Sequence, residues 1–342
     1  MHSMICPKAA RAKEQMRIVI PFAPVADSFA ENVAVTLRRM GHEVMTSAKA
    51  PAWNTESLWR YACRTVLERL AGDRPTRDEQ RILKVVKAFK ADMVLALTRG
   101  VHPEILRELE KVCPGRRVIW WGDAPSNSRR WGILDPGWDA VFCKDAATVG
   151  KLKLIGRNAY VLHEAMNPLW HKHVAGQAND TIAVAGNSYA FRQAVCVRLM
   201  EHSVSVALYG PKPPVWSNPA YREAHTGRYI VREEKSRVFG EALACLNTFS
   251  LSEADSVNCR AFEIAGAGGL QLIEYRPAIE ECFEPGKELL AFSTFEELMA
   301  HIERARKEPH AMRAIREAGA KRALAEHTYE HRLKVMLKGV AT

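Results

Sequence analysis

Apolar residues along this chain gather into short runs of strand length, separated by stretches with helical spacing. In the first half the runs are residues 17–23 (RIVIPFA), 42–47, 93–98, 118–121 (VIWW), 140–143 (AVFC) and 160–162. Helices are predicted over 29–40, with Ser28 as cap and Gly41 as stop, and over 78–90, 103–112 and 146–154. The opening strand–helix–strand is a βαβ unit. A further segment, 57–70, puts Trp59, Ala62, Cys63, Val66 and Leu70 on one face and Arg60, Arg64 and Glu68 on the other. It reads as a helix covering the sheet, although such a face also suits a membrane surface or the wall of an acceptor pocket.

The pattern lapses over 163–180 (HEAMNPLWHKHVAGQAND) and then restarts. Strands are predicted at 181–185, 204–209, 245–249 and 288–292, with helices at 192–201, 235–244, 295–306, 310–326 and 330–338. Thr294 with Glu297 forms a capping box for one of these helices. The predicted organisation is a tail at 1–15, a Rossmann-like domain at 16–175, a second at 176–328, and a closing helix at 329–342 free to pack back on the first domain. The expected class is α/β, two Rossmann-like domains facing each other across a cleft.

One stretch organises the rest: 258–275, NCRAFEIAGAGGLQLIEY. Phe262, Ala265 and Gly266 have helical spacing; Gly266, Gly268 and Gly269 break the helix, and 270–273 leaves as a strand. The first turn of such a helix offers unpaired backbone N–H groups, and Arg260 stands on it, which suits a phosphate. Glu263 suits another task, because a carboxylate can accept both hydroxyls of a ribose.

Composition narrows the classes. The 342 residues allow two domains, and 47% hydrophobic with 26% charged residues is globular composition. No apolar run reaches the roughly 20 residues of a membrane span, and the N-terminus lacks the apolar core of a secretory signal. Eight cysteines stand singly, without a C-x-x-C pair, as reduced thiols of a cytoplasmic protein would. The +10 charge calls for an acidic partner. The basic residues are dispersed along helices and no nucleic-acid motif occurs, so nucleic acid is disfavoured. A phosphorylated substrate fits, and the charge also permits peripheral association with the inner face of a membrane.

Two loops carry candidate chemistry. The first follows the strand 118–121 and reads GDAPSNSRRWGILDPG. Open α/β sheets bind ligands beyond the carboxyl ends of their strands, so Asp123, Ser126, Asn127, Arg129 and Arg130 are positional candidates, in a loop equally consistent with plain solvation. The second is GNSYAFR, 186–192. Gly186 lets the backbone approach a diphosphate, and Asn187 and Arg192 can add hydrogen bonds. A Walker loop, a G-x-G-x-x-G fingerprint and a D-x-D pair are all missing from the sequence, which disfavours a P-loop NTPase, a conventional NAD enzyme and metal-borne diphosphate chemistry. No metal site and no cofactor are expected.

From residue 181 onward, and more loosely from 93, the chain resembles glycosyltransferases of the CgeB type within the two-domain GT-B enzymes. The matching pieces are VAGNSYAFR, the ALYG strand end, REEKSRVFGEALACLN, NCRAFEIAGAGGLQL, IEECFEPGKELLAFSTFEEL and EHTYEHRLKVML, the last three in order at family-like spacing. The resemblance implies that the second domain binds a nucleotide diphosphate sugar and the first an acceptor: a glycan, a lipid-linked sugar or a metabolite. It implies that Gly186, Asn187 and Arg192, with Tyr209, Gly210, Asn258 and Arg260, surround the donor, and that Glu263 holds the ribose. Related retaining enzymes carry another glutamate eight residues earlier. This chain has Asp255 there, a shorter carboxylate, so retaining and inverting outcomes both stay open. An inverting route needs a base, for which Asp123 is the first candidate and His163 the second. A nucleotide-sugar epimerase on the same fold, and a non-catalytic nucleotide-sugar-binding maturation protein, are the rival expectations.

Overall fold

The computed structural model describes residues 15–22, 25–47, 74–125, 131–174, 179–253 and 255–341; the predicted 57–70 helix and the residues 126–130 lie outside them. Two all-parallel sheets form. The first joins β1 (Arg17–Ile20), β2 (Glu43–Thr46), β3 (Met93–Leu97), β4 (Arg116–Trp121), β5 (Ala140–Cys143) and β6 (Ala159–Val161) in the order β2-β1-β3-β4-β5-β6. The second joins β7 (Ile182–Ala185), β8 (Val206–Tyr209), β9 (Ala244–Asn247), β10 (Gln271–Glu274) and β11 (Leu290–Phe292) in the order β11-β10-β9-β7-β8. Both orders reverse beside the first strand of their domain, and a crevice opens at such reversals. The two crevices face each other.

Parallel strands are covered on both faces, which is why they read as continuous apolar runs. On one face of the first sheet, Ile82, Val86, Ile105, Leu109, Val149 and Leu152 come from the helices Arg77–Phe89, Pro103–Val112 and Ala146–Leu154. On the other, Val33 and Leu37 from the helix Phe29–Arg39 pack with Tyr329, Leu333 and Met336 from the last helix, Tyr329–Ala341. The final helix of the chain thus lies on the first sheet, with Phe29, Trp120 and Tyr329 in mutual ring contact at centroid distances of 4.7–6.1 Å.

Among the described residues the backbone crosses between the domains twice, and the crossings are hydrogen-bonded to each other. Met166 N donates to the His327 carbonyl at 3.0 Å, and Tyr329 N donates to the Met166 carbonyl at 3.1 Å. The glycines of the organising stretch serve this crossing. A Cβ at Gly266 would meet the Met166 side chain at 2.4 Å, and one at Gly268, whose φ is +74°, the His173 ring at 2.2 Å. They let the connecting segment lie directly against the helix Cys259–Gly266.

The predicted helix 235–244 is instead Arg232–Glu241. It ends early because Gly240, having no side chain, admits the Val174 carbonyl, and because Arg316 takes the free carbonyls beyond. One guanidinium of Arg316 donates to the carbonyls of Gly240 (3.1 Å), Gly268 (3.3 Å), Ala242 (2.7 Å) and Leu243 (2.8 Å). It ties the C-terminal ends of two helices, where unpaired carbonyls and the helix dipoles favour a cation. Burial holds its pKa below that of a free arginine. Replacing Arg316 with alanine is expected to lower the unfolding free energy by about 3 kcal/mol, because buried carbonyls lose a charged donor. Urea unfolding of the variant beside wild type measures it.

Candidate functional site

The facing crevices make one cleft of about 480 Å³. Asp123, Gly186, Asn187, Arg192, Tyr209, Gly210, Asn258, Arg260 and Glu263 all line it, together with Asp27, Tyr229, Lys235, Ser250, Ser252 and Glu253.

On the second domain, β7 is followed by Gly186 and β8 by Gly210, with φ of +127° and +128°. A Cβ on Gly210 would stand 2.8 Å from the Gly186 carbonyl oxygen, so the two turns close only with glycine at this contact. Arg192 reaches from the helix Ala190–Glu201 under the same turn. Its Nη1 donates to the Asn187 carbonyl (2.9 Å), its Nη2 to the Thr248 carbonyl (3.0 Å) and its Nε to Thr248 Oγ1 (3.2 Å). Arg192 is therefore the brace of the turn, and its charge acts on the cleft from behind.

Asn258 caps the helix Cys259–Gly266: its Oδ1 accepts from Ala261 N at 3.3 Å, and its amide pairs reciprocally with that of Asn247, both bonds 3.1 Å. That cap turns the helix N-terminus toward the cleft. From its first turns come Arg260 and Glu263, joined at 2.5 Å. Lys235 Nζ lies 3.1 Å from the other Glu263 oxygen and also contacts Asp27 of the first domain. Burial alone would push the Glu263 carboxyl up; Arg260 and Lys235 overcome it, and the group is held below its ordinary value.

The first domain supplies Asp123 beyond β4 and Lys144 beyond β5. Asp123 opens onto the cleft, and the density of protein around that recess raises its carboxyl pKa. Lys144 is buried and bonds Glu253 of the second domain at 2.6 Å. Next to them sits Glu164, whose carboxyl carbon would lie 2.9 Å from a Cβ on Gly122; burial pushes its pKa up to about 7.

The structure does not bring His163 and Asp255 to the cleft lining. His163 packs against Phe262, its Nε2 is 3.9 Å from Glu281, and burial with Arg332 nearby lowers its pKa to about 4, which leaves it a weak base. Asp255 points away: its Oδ1 accepts from Ala278 N at 3.0 Å at the turn Pro277–Ile279, and its backbone N meets Asp145 at 3.4 Å. Sequence reasoning missed Asp27, Lys235, Lys144, Glu164 and Glu253. Lys235 stands inside a motif already singled out, and Asp27 follows β1 at the carboxyl edge, where the crevice rule pointed.

Among the described residues, Asp27, His171 and Glu263 form the group with metal-ligand spacing. Its chemistry does not fit a divalent ion. His171 Nδ1 accepts from Asn167 N at 3.0 Å, which leaves the ring proton on Nε2, and that nitrogen faces Asp27 (3.6 Å) and Glu263 (3.8 Å). The Lys235 ammonium already bridges the two carboxylates.

Residues 191–338 match the family described as glycosyl transferase-like. Solved structures align over nearly the whole chain. Sucrose-phosphate synthase from Thermosynechococcus elongatus superposes with a TM-score of 0.67 at 13% identity, covering 94% of this chain and 98% of that one. Anabaena HepE, solved with UDP-glucose, gives 0.64 at 10% identity, covering 94% and 99%. The trehalose 6-phosphate synthase of Burkholderia multivorans gives 0.61 at 16% identity, covering 96% and 99%. The fold is GT-B. No curated protein sequence matches closely enough to define a relative. No described helix is long and apolar enough to cross a membrane.

Glu164 makes a pH test. Its native pKa (about 7) exceeds the ordinary 4.5, so the folded state binds a proton more tightly than the unfolded one between those values. Stability contributed by that proton is present below about 4.5 and lost as pH rises through about 7. Glu164→Gln keeps the uncharged form at every pH. Relative to wild type, the variant is expected to gain up to about 3 kcal/mol between these limits, read from thermal unfolding at a series of pH values.

Proposed function

We propose that this protein is a glycosyltransferase of the CgeB type, moving a sugar, a hexose or a related one, from a nucleoside diphosphate to an acceptor hydroxyl. The observation that carries the reading is the convergence in one cleft of a glycine turn, a helix N-terminus with Arg260, and the buried carboxylate of Glu263. Backbone N–H groups and cations suit a diphosphate, and a carboxylate suits paired ribose hydroxyls. The match of residues 191–338 to a glycosyl transferase-like family and the UDP-glucose held by HepE point the same way.

In this reading the bond between the sugar's anomeric carbon and the diphosphate oxygen breaks, and the nucleoside diphosphate leaves with the electron pair. Arg260, Lys235 and the helix N-terminus stabilise the charge that develops there, work that a bound metal performs in other transferases. The acceptor oxygen bonds to the anomeric carbon. Asp123, which opens onto the cleft and has a raised pKa, takes the acceptor proton if configuration inverts. His163, with its pKa near 4 and its place behind Phe262, is the weaker choice. Asp255 serves as a structural carboxylate. The reading places the protein in the cytoplasm, where nucleotide sugars are at hand; acceptors in reach are glycans, lipid-linked sugars and small metabolites.

The test supplies UDP-, GDP- and dTDP-sugars, with EDTA present, and follows nucleotide release and sugar identity. Release of nucleoside diphosphate with the sugar passed to an acceptor or to water is the expected outcome. A free epimerised sugar would mark an epimerase, and binding without turnover in the presence of acceptors a binding protein. Glu263→Ala is expected to weaken nucleoside diphosphate binding about tenfold or more, whereas inorganic pyrophosphate, which has no ribose and meets two cations released from Glu263, is not weakened. Equal affinity of wild type and variant for the nucleotide would remove Glu263 from the ribose.

A further inference from the structure

The cleft's charges are matched across the domains, and one match stands where the donor's own charge would go. Lys235 comes from the second domain and Asp27 from the loop between β1 and the helix Phe29–Arg39 of the first. Their side chains are 7% and 2% exposed. Beside them, the Arg260 guanidinium borders the Gly186 turn, with its Nη2 3.7 Å from where a Gly186 Cβ would be. We propose that the Asp27 carboxylate is a built-in counter-ion to Lys235, standing where the donor's diphosphate would meet Lys235 and Arg260, and that the diphosphate displaces it. The proposal rests on the donor reading given above.

Two observations besides the ion pair support it. Both oxygens of Asp27 are engaged with protein: Oδ1 accepts from Asn32 Nδ2 at 3.3 Å, and Oδ2 accepts from Arg232 N at 2.9 Å as well as contacting Lys235. A carboxylate so occupied is not poised to receive substrate hydroxyls. It fills the place of an anion. The second observation is backbone strain on both sides of the contact. Asp27 has φ +56° and Arg232 has φ +52°, left-handed conformations that side chains with a Cβ adopt only when held there. What holds them is each other: Arg232 N on Asp27, the Arg232 guanidinium on Glu31, and Asp27 N on Glu31 Oε2 at 2.6 Å. The contact is thus a closed loop of charged hydrogen bonds between two strained residues of opposite domains, and breaking it releases both.

A diphosphate cannot share the Lys235 ammonium with Asp27 at close range without like-charge repulsion. Its arrival therefore has to move the Asp27 loop. One of the amides named above reports this in wild-type protein, with no substitution to endanger folding. On saturation with UDP, GDP or dTDP, whichever binds, hydrogen exchange at the Arg232 amide is expected to accelerate, because its acceptor, Asp27 Oδ2, leaves. In parallel, Asp27→Asn is expected to bind the same nucleotide, and inorganic pyrophosphate, about tenfold more tightly than wild type, or about 1.4 kcal/mol. Unchanged or slower exchange at Arg232 in the nucleotide complex overturns the counter-ion role, and so does equal or weaker binding by Asp27→Asn. If wild type binds none of the three nucleotides and no pyrophosphate, the donor reading itself fails, a result separable from the other two.

Discussion

Charge buried between two domains must be neutralised within the protein, and that constraint shapes this molecule. Asp27, Glu31 and Lys144 leave the first domain; Arg232, Lys235 and Glu253 leave the second, and each finds its partner across the cleft. Leaving Asp27, Lys144 or Lys235 single in so dry a place would cost several kcal/mol, whereas Arg232 is half exposed. The domains are accordingly held less by apolar surface at the cleft than by a pattern of signs. The same pattern makes the cleft sensitive to whatever charged ligand enters it.

The two kinds of site residue differ in how they were legible. Gly186, Gly210, Asn258, Arg260 and Glu263 act through local geometry: a strand end, a cap, the first turns of a helix. Spacing along the chain reveals such features at Gly186, Arg260 and Glu263, whereas Gly210 and Asn258 came with the family resemblance; the helices Pro103–Val112 and Ala146–Leu154 are legible locally too, their ends fixed by Pro103 and the Asp145 cap. Asp27 and Lys235 acquire meaning only by meeting from more than 200 positions apart, which no local pattern reports. Arg192 and Asp255 show the converse limit. Their chemistry was readable, but their partners, Thr248 and Ala278, come from other elements, and those partners turn the charges to bracing and capping.

Boundaries shifted where tertiary contacts overrode propensity. The strand expected from 204 begins at Val206, because Val204 N still bonds back to the Leu199 carbonyl at the preceding helix end. The helix expected to reach 244 stops at Glu241 because Arg316, 73 and 74 positions away, takes the carbonyls of Leu243 and Ala242 beyond it. Low identity to the aligned structures, 10–16%, is compatible with this picture. Two parallel sheets with opposed crevices tolerate wide exchange of apolar residues, whereas the charges in the cleft are particular to a chain.

The pairing of Met166 with His327 and Tyr329 sets how such a molecule can move. Two chain segments cross between the domains, and they cross side by side, stitched together at one place. Separate crossings at distant points would permit only shear or none at all; a stitched pair acts as a door's pin. Opening then becomes a swing about a single line through the stitch; the Asp27–Lys235 contact lies close to the connecting segment, with His171 3.6 Å from Asp27 and Ser236 bonded to the Trp170 carbonyl at 2.8 Å. The helix Tyr329–Ala341, fixed to the first sheet, rides with that domain while its covalent root stays on the pin. The last helix is in this sense the rear leaf of the hinge.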